Sequence, residues 1–298
     1  TVEVETPVIE TPAALADNAS DTIIRLQAET LNPANTASPA PDSVWVKTAA
    51  AVAFTDSSIA QATPASGPLI PLDSSPINPH NPMLPTRQAG VGGSVRILGR
   101  RVGVLDGAMI DTTGASGGGE ILVGGDWQGH NPEVQNAQAT FVAASARLDA
   151  SATDFGKGGK VVVWADEAAR VYGHIAARGG ALGGDGGFIE TSGKRYLDIG
   201  QAADASAANG LAGTWLLDPR NVTIVASNTS PSLDGQTPNF SPSQDSSTIT
   251  SSVINTALNA GTSVNIDTGS DGTQAGDITV SAAINKSAGG NATLTLTA

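Results

Sequence analysis

Gly158-Gly159-Lys160-Val161-Val162-Val163-Trp164-Ala165-Asp166 sets two glycines in front of an unbroken apolar run. The same opening recurs at Gly92-Gly93-Ser94-Val95-Arg96-Ile97, at Gly118-Gly119-Glu120-Ile121-Leu122-Val123 and at Gly186-Gly187-Phe188-Ile189-Glu190. The second glycines, at 93, 119, 159 and 187, lie 26, 40 and 28 residues apart, which marks a repeat. The long interval carries an insertion, most naturally Asp126 to Gln138.

Further short β-branched runs follow each opening: Val102 to Leu105 with Ala108 to Asp111, Ala139 to Ala150, Arg170 to Ala177, and Tyr196 to Ile199. Glycines that accept positive φ bound them, so they read as strands and turns rather than helices. One such unit cannot bury its apolar face. Stacking units can, because each backbone N–H and C=O then pairs with the neighbouring unit. The spacing therefore predicts an all-β fold, a parallel β-helix. A sandwich or propeller needs regular hairpin signals, yet Asn-Gly occurs only at Asn209-Gly210 and Asp-Gly only at 106, 185, 234 and 271.

Composition agrees with strands in layers. The 298 residues include 35 Gly and 17 Pro but only 5 Phe, 4 Trp and 2 Tyr, too few large aromatics for a bulky globular core. A net charge of −13 repels phosphate backbones, which argues against nucleic acid as a partner. Without cysteine there is no disulfide, thiolate metal site or thiol nucleophile. No apolar run approaches the ~20 residues of a transmembrane helix. No secretion signal is read at Thr1-Val2-Glu3-Val4-Glu5, and the chain reads as an excerpt of something longer.

Four regions are expected. Residues 1–89 form a Pro/Ala-rich linker, mostly disordered, and 90–227 carry the repeats. Residues 228–248 are a polar loop. Residues 249–298 hold one short helix near 249–260, followed by resumed repeats. Ile249, Val253, Ile254, Ala257 and Leu258 recur at helical spacing, with Ser247 as N-cap and Gly261 as the stop. Val264 with Ile266, Ile278 with Val280, and Leu294 with Leu296 then alternate as strands.

Gly158 to Asp166, Tyr172 to Gly180, Gly183 to Lys194 and Gly213-Thr214-Trp215-Leu216-Leu217-Asp218-Pro219-Arg220-Asn221-Val222-Thr223-Ile224, in that order, resemble the large exoproteins of two-partner secretion, the filamentous haemagglutinin and adhesin family. Ala257 to Thr262 and Ala292 to Ala298 extend the resemblance over about residues 90–298. It implies a right-handed β-helical shaft and a secreted or cell-surface protein. Export would use an outer-membrane transporter of the two-partner type. It further implies a role in mediating or displaying adhesion to a host or cell-surface glycan or protein. The family's Asn-Pro-Asn-Gly-like secretion motif is not matched by Asn78-Pro79-His80-Asn81-Pro82, so transporter recognition is not placed on these residues.

Chemistry-bearing patterns are few, and no catalytic residue, cofactor or metal is assigned. Gly114-Ala115-Ser116-Gly117-Gly118 spells a nucleophile elbow but leads into a strand, not a helix. Asp267, Asp271 and Asp277 faintly outline a calcium loop, with Gly269 at its third position and Ile278 where a bidentate Glu belongs. His80, His130 and His174 are far apart in sequence. Asp166, Glu167 and Arg170, with Glu190 and Asp198 on later units, form the one cluster that a β-helix polysaccharide lyase or hydrolase could use. Asp218-Pro219 reads as a corner between strands. The candidate surface contacts are Trp127 and His130, on an insertion expected to be dispensable to the repeat. Three readings follow: a non-enzymatic adhesin shaft, a pure spacer carrying a distal effector, and a polysaccharide-cleaving enzyme.

Overall fold

The computed structural model describes residues 43–46, 59–63, 90–227, 233–236, 239–243, 245–269 and 276–298. The first strands are β1 (Ser43–Val46), β2 (Ile59–Thr63), β3 (Ser94–Leu98), β4 (Arg101–Val104), β5 (Met109–Asp111), β6 (Glu120–Val123), β7 (Ala139–Val142) and β8 (Arg147–Asp149). There follow β9 (Lys160–Ala165), β10 (Ala168–Val171), β11 (His174–Ala176), β12 (Phe188–Gly193), β13 (Tyr196–Ile199), β14 (Thr214–Leu217) and β15 (Asn221–Val225). The rest are β16 (Leu233–Gln236), β17 (Asn239–Pro242), β18 (Ser246–Thr250), the helix α1 (Ser251–Ala260), β19 (Ser263–Asp267), β20 (Ile278–Val280) and β21 (Leu294–Thr297). The chain is all-β, with mostly parallel sheets and one α-helix among the described residues.

Three parallel sheets take one strand in turn from each successive unit. The first runs β3-β6-β9-β12-β14-β19-β21, the second β4-β7-β10-β13 and the third β5-β8-β11. Where the sequence suggested a single run, at Ala139 to Ala150 and at Arg170 to Ala177, the chain turns between the second and third sheets. The first of these turns is closed locally, the Ala146 N–H donating to the Ala143 carbonyl at 3.0 Å, and at the far end of the third sheet Asp111 and Asp149 accept the N–H two residues on, at 2.8 and 3.0 Å. An Asp-x-Ser/Thr thus ends β5 and β8, whereas β11 ends at Ala176.

Register places like residues in columns. In the first sheet Val95, Ile121, Val161, Ile189, Trp215 and Val264 align, and all are buried. The third sheet adds Ile110, Leu148 and Ile175 to the same core. At roughly 25 cal/mol per Å² of apolar surface, each such side chain contributes about 1.5–3 kcal/mol. Trp215 satisfies its indole N–H inside the core by donating to Thr191 Oγ1 at 2.8 Å.

The glycine pairs hold the layers together at the corner before the first sheet. A Cβ on Gly119 would sit 2.0 Å from the Gly93 carbonyl oxygen, and one on Gly159 equally close to that of Gly119. Only glycine permits this approach between layers.

Within the expected linker, β1 pairs parallel with β4 and β2 antiparallel with β3. The remainder of residues 1–89, including His80, lies outside the described residues. The expected polar loop 228–248 is corrected. β16 and β17 form an antiparallel hairpin, and β18 follows. Phe240 from this hairpin packs against Ala139, Ala168 and Tyr196, which lie on the second sheet. β18 enters beside β13 and pairs β15 on its other side, giving the order β18-β15-β20.

The helix starts two residues later than expected. Thr250, not Ser247, is its N-cap and makes no side-chain cap bond, while Ile249 lies on β18. Ser247 Oγ instead accepts the Leu197 N–H at 2.9 Å. Gly261 ends the helix at φ 93°, as read, and Val253, Ile254, Ala257 and Leu258 are buried.

Candidate functional site

The insertion between β6 and β7 does not hang free. β6, β9 and β14 read as continuous apolar runs rather than alternating ones, which is the mark of strands buried on both faces. Leu122, Val162 and Trp164 occupy their outward positions, are 0–2% exposed and form a cluster of their own. The 124–138 segment covers them. Gly125 and Gly129 let its backbone lie flat on the Trp164 indole, since a Cβ at either would come within 2.7 Å of the ring.

Polar contacts pin the cover in place. Asp126 accepts from the Trp127 N–H at 2.7 Å and from Asn131 Nδ2 at 2.8 Å, and it pairs with Lys160. Burial works against the Asp126 charge, but bonds from Asn131, Lys160 and the Trp127 N–H outweigh it and hold the carboxyl below its usual range. Gln128, at φ 50°, is the one non-glycine residue with positive φ among the described residues. That conformation costs roughly 1 kcal/mol. It aims the Gln128 N–H at both Glu190 oxygens (3.1 and 3.2 Å) and its side-chain amide at Asp218 Oδ2 (3.0 Å).

Glu190 is fully buried on the outward side of β12. Burial pushes its carboxyl up to about 8, against the opposing bonds from the Gln128 N–H and Ser192. Burial also raises Asp218 to about 6, with the Asp267 carboxylate adding to the rise and the Gln128 amide opposing it. Around neutral pH Glu190 therefore keeps its proton and Asp218 is largely ionised.

Trp127 and His130, the sequence-derived contact candidates, lie on the outer surface of this cover. Trp127 is half exposed and His130 exposed, and their rings meet edge to face at 6.2 Å. Beside Trp127 runs a groove of about 900 Å³ over the paired glycines of three units, bordered by Glu120, Lys157, Lys160 and Phe188.

The cluster expected for sugar cleavage is not one site. Asp166 Oδ1 accepts from the Trp164 indole (2.9 Å) and from Asn136 (3.1 Å). Glu167 pairs with Arg195, which also holds Asp245. Arg170 lies over the Phe240 ring at 5.1 Å, and Asp198 accepts from the Tyr172 hydroxyl at 2.5 Å. Glu190 stands in a different sheet from Arg170 and Asp198. Its partners are Gln128, which sequence reasoning did not single out, and Asp218, read there only as a corner. The apolar outward positions were the available signal that this face is covered. Ser116 lies outside the named strands, and the element directly after it is strand β6, not a helix. Asp267 accepts the Gly269 N–H in a turn, while residues 270–275 of the faint calcium pattern lie outside the described residues.

Among the described residues no group of three or more His, Asp or Glu is placed to hold a metal. No described helix is long and apolar enough to cross a membrane. No protein-family model matches the chain, and no curated protein matches it.

Proposed function

We propose that this chain is a segment of a right-handed parallel β-helix serving as the shaft of a secreted, cell-surface adhesin of the filamentous haemagglutinin type. Such a shaft would be exported by a two-partner outer-membrane transporter and would not be an enzyme. The observation that carries the reading is the repeated passage of the chain through three parallel sheets in fixed register. A strand–crossover–parallel strand connection takes the right hand in nearly all known cases. Each unit then adds about 4.8 Å to a rod, and side excursions such as the 124–138 cover supply contact surface. A pure spacer shares this architecture and differs only in binding nothing.

Small-angle scattering tests the shaft. The expected result is a rod of constant cross-section whose length falls by about 4.8 Å for each unit removed. A compact globule refutes it. Beads coated with the protein and counted on epithelial monolayers then separate adhesin from spacer, retention above bare beads being expected of the adhesin. The polysaccharide-cleaving alternative predicts shortened or unsaturated products from a glycan panel, lost on Asp166→Asn or Glu167→Gln.

A further inference from the structure

We infer that the 124–138 segment is a hinged cover, which lies closed over the first sheet while Glu190 is protonated and lifts as Glu190 ionises. The segment has a narrow neck. The Ala137 N–H donates to the Gly124 carbonyl at 2.6 Å and the Gln138 N–H to that of Arg100 at 2.7 Å, so both ends stay tied to the stacked layers. Between them the backbone bonds to itself, Gly129 to the Asp126 carbonyl, His130 to that of Trp127 and Val134 to that of Asn131. A loop with close ends and internal bonds can move as one piece. Gly124, at φ 76°, stands at the neck, where a change of backbone angle lifts the whole loop.

The centre of the cover rests on two carboxyls. Gln128 takes its positive φ to set its N–H on Glu190 and its side-chain amide on Asp218. Glu190 is 0% exposed, and no cation is paired with it among the described residues. Lys160 on β9 is engaged by Glu120 of β6 and Asp126 of the cover, and Asp166 beyond β9 is bound by Trp164 and Asn136. Asp218 adds its charge to Glu190, while Asp267, His130 and Lys194 act in turn on Asp218. Arg170 and Asp198 belong to the second sheet. A dry carboxyl so placed must keep its proton or be reached by water. Water reaches Glu190 when the cover lifts, and the carboxyl then regains its ordinary acidity. Opening therefore grows about tenfold per pH unit and levels off once the covered carboxyl also ionises, at about 8. Lifting bares Leu122, Val162 and Trp164, so this apolar strip is withheld in acid and presented as pH rises.

Hydrogen–deuterium exchange of the full chain, corrected for the intrinsic rate at each pH, measures this opening at the amides of Gln128, Gly129 and His130. Their protection should be lower than that of β9 and β12 at every pH, because the cover lifts without unfolding the layers. It should fall about tenfold per unit between about pH 6 and 8 and then level off. In Glu190→Gln, which keeps an acceptor for the Gln128 N–H but has no proton to lose, it should stay level over that range. Protection equal to that of β9 would mean that the segment leaves only when the whole fold does, and would overturn the assignment. The same slope in Glu190→Gln would also overturn it. Should that variant fail to fold, the native chain still decides, since protection that is level between those two pH values rejects the cover as a switch.

Discussion

Replacing Glu190 by glutamine isolates the buried carboxyl beneath the 124–138 cover. Its pKa rises from 4.5 to about 8 on folding, with burial as the largest cause. The folded chain therefore binds a proton that the unfolded chain releases above about pH 4.5, so stability falls as pH rises from about 4.5 to 8 and levels off beyond. A shift of about 3.5 units at ~1.36 kcal/mol each caps the loss at about 5 kcal/mol, complete above pH 9. For a chain of this size that corresponds to roughly 10–20 °C in melting temperature. Asp218, raised to about 6, contributes its own fall below that pH, so the window from about 6 to 8 belongs chiefly to Glu190. Glu190→Gln mimics the protonated acid and keeps an acceptor for the Gln128 N–H. Melting followed by circular dichroism should show the native chain weakening steeply over that window and the variant hardly at all. The variant should melt within a few degrees of the native chain at pH 5 and well above it at pH 9. Equal pH slopes for both proteins, or a variant less stable at pH 9, would refute the argument.

Gly159→Ala should cost about 3 kcal/mol or more in urea unfolding, because its Cβ meets the Gly119 carbonyl at 2.0 Å. Gly117→Ala, where the nearest atom is a Val91 methyl at 3.5 Å, should be within about 0.5 kcal/mol of the native protein. Deleting Asp126 to Gln138 should keep the far-ultraviolet β signature, yet it should cost about 4 kcal/mol or more and raise dye binding. It would bare Leu122, Val162 and Trp164, so the fold expected to survive the deletion would do so at reduced stability. Trp215→Ala should cost about 3–5 kcal/mol by urea melts, with Trp215→Phe intermediate, since phenylalanine refills the core but cannot donate to Thr191.

The sequence alone determined what depends on near neighbours along the chain. Paired glycines followed by Val and Ile runs mark where each unit begins, because turn chemistry and β-branching act over a few residues. Helical spacing with Gly261 likewise marks the end of α1. The sequence also carried an unused signal, the apolar outward positions Leu122, Val162 and Leu216, which require a cover without naming it. Tertiary structure alone decided what does the covering: the 124–138 segment over the first sheet and Phe240 against the second. It also set β18 beside β13, ahead of β15, although β15 comes first in the chain. β15 and β18 carry similar alternating patterns, so neither pattern selects its neighbour. That choice falls to non-local contacts such as Ser247 accepting the Leu197 N–H. Glu190 shows the same division. Its position on β12 follows from the repeat, but its proton is fixed by burial under a segment 62 residues away in the chain.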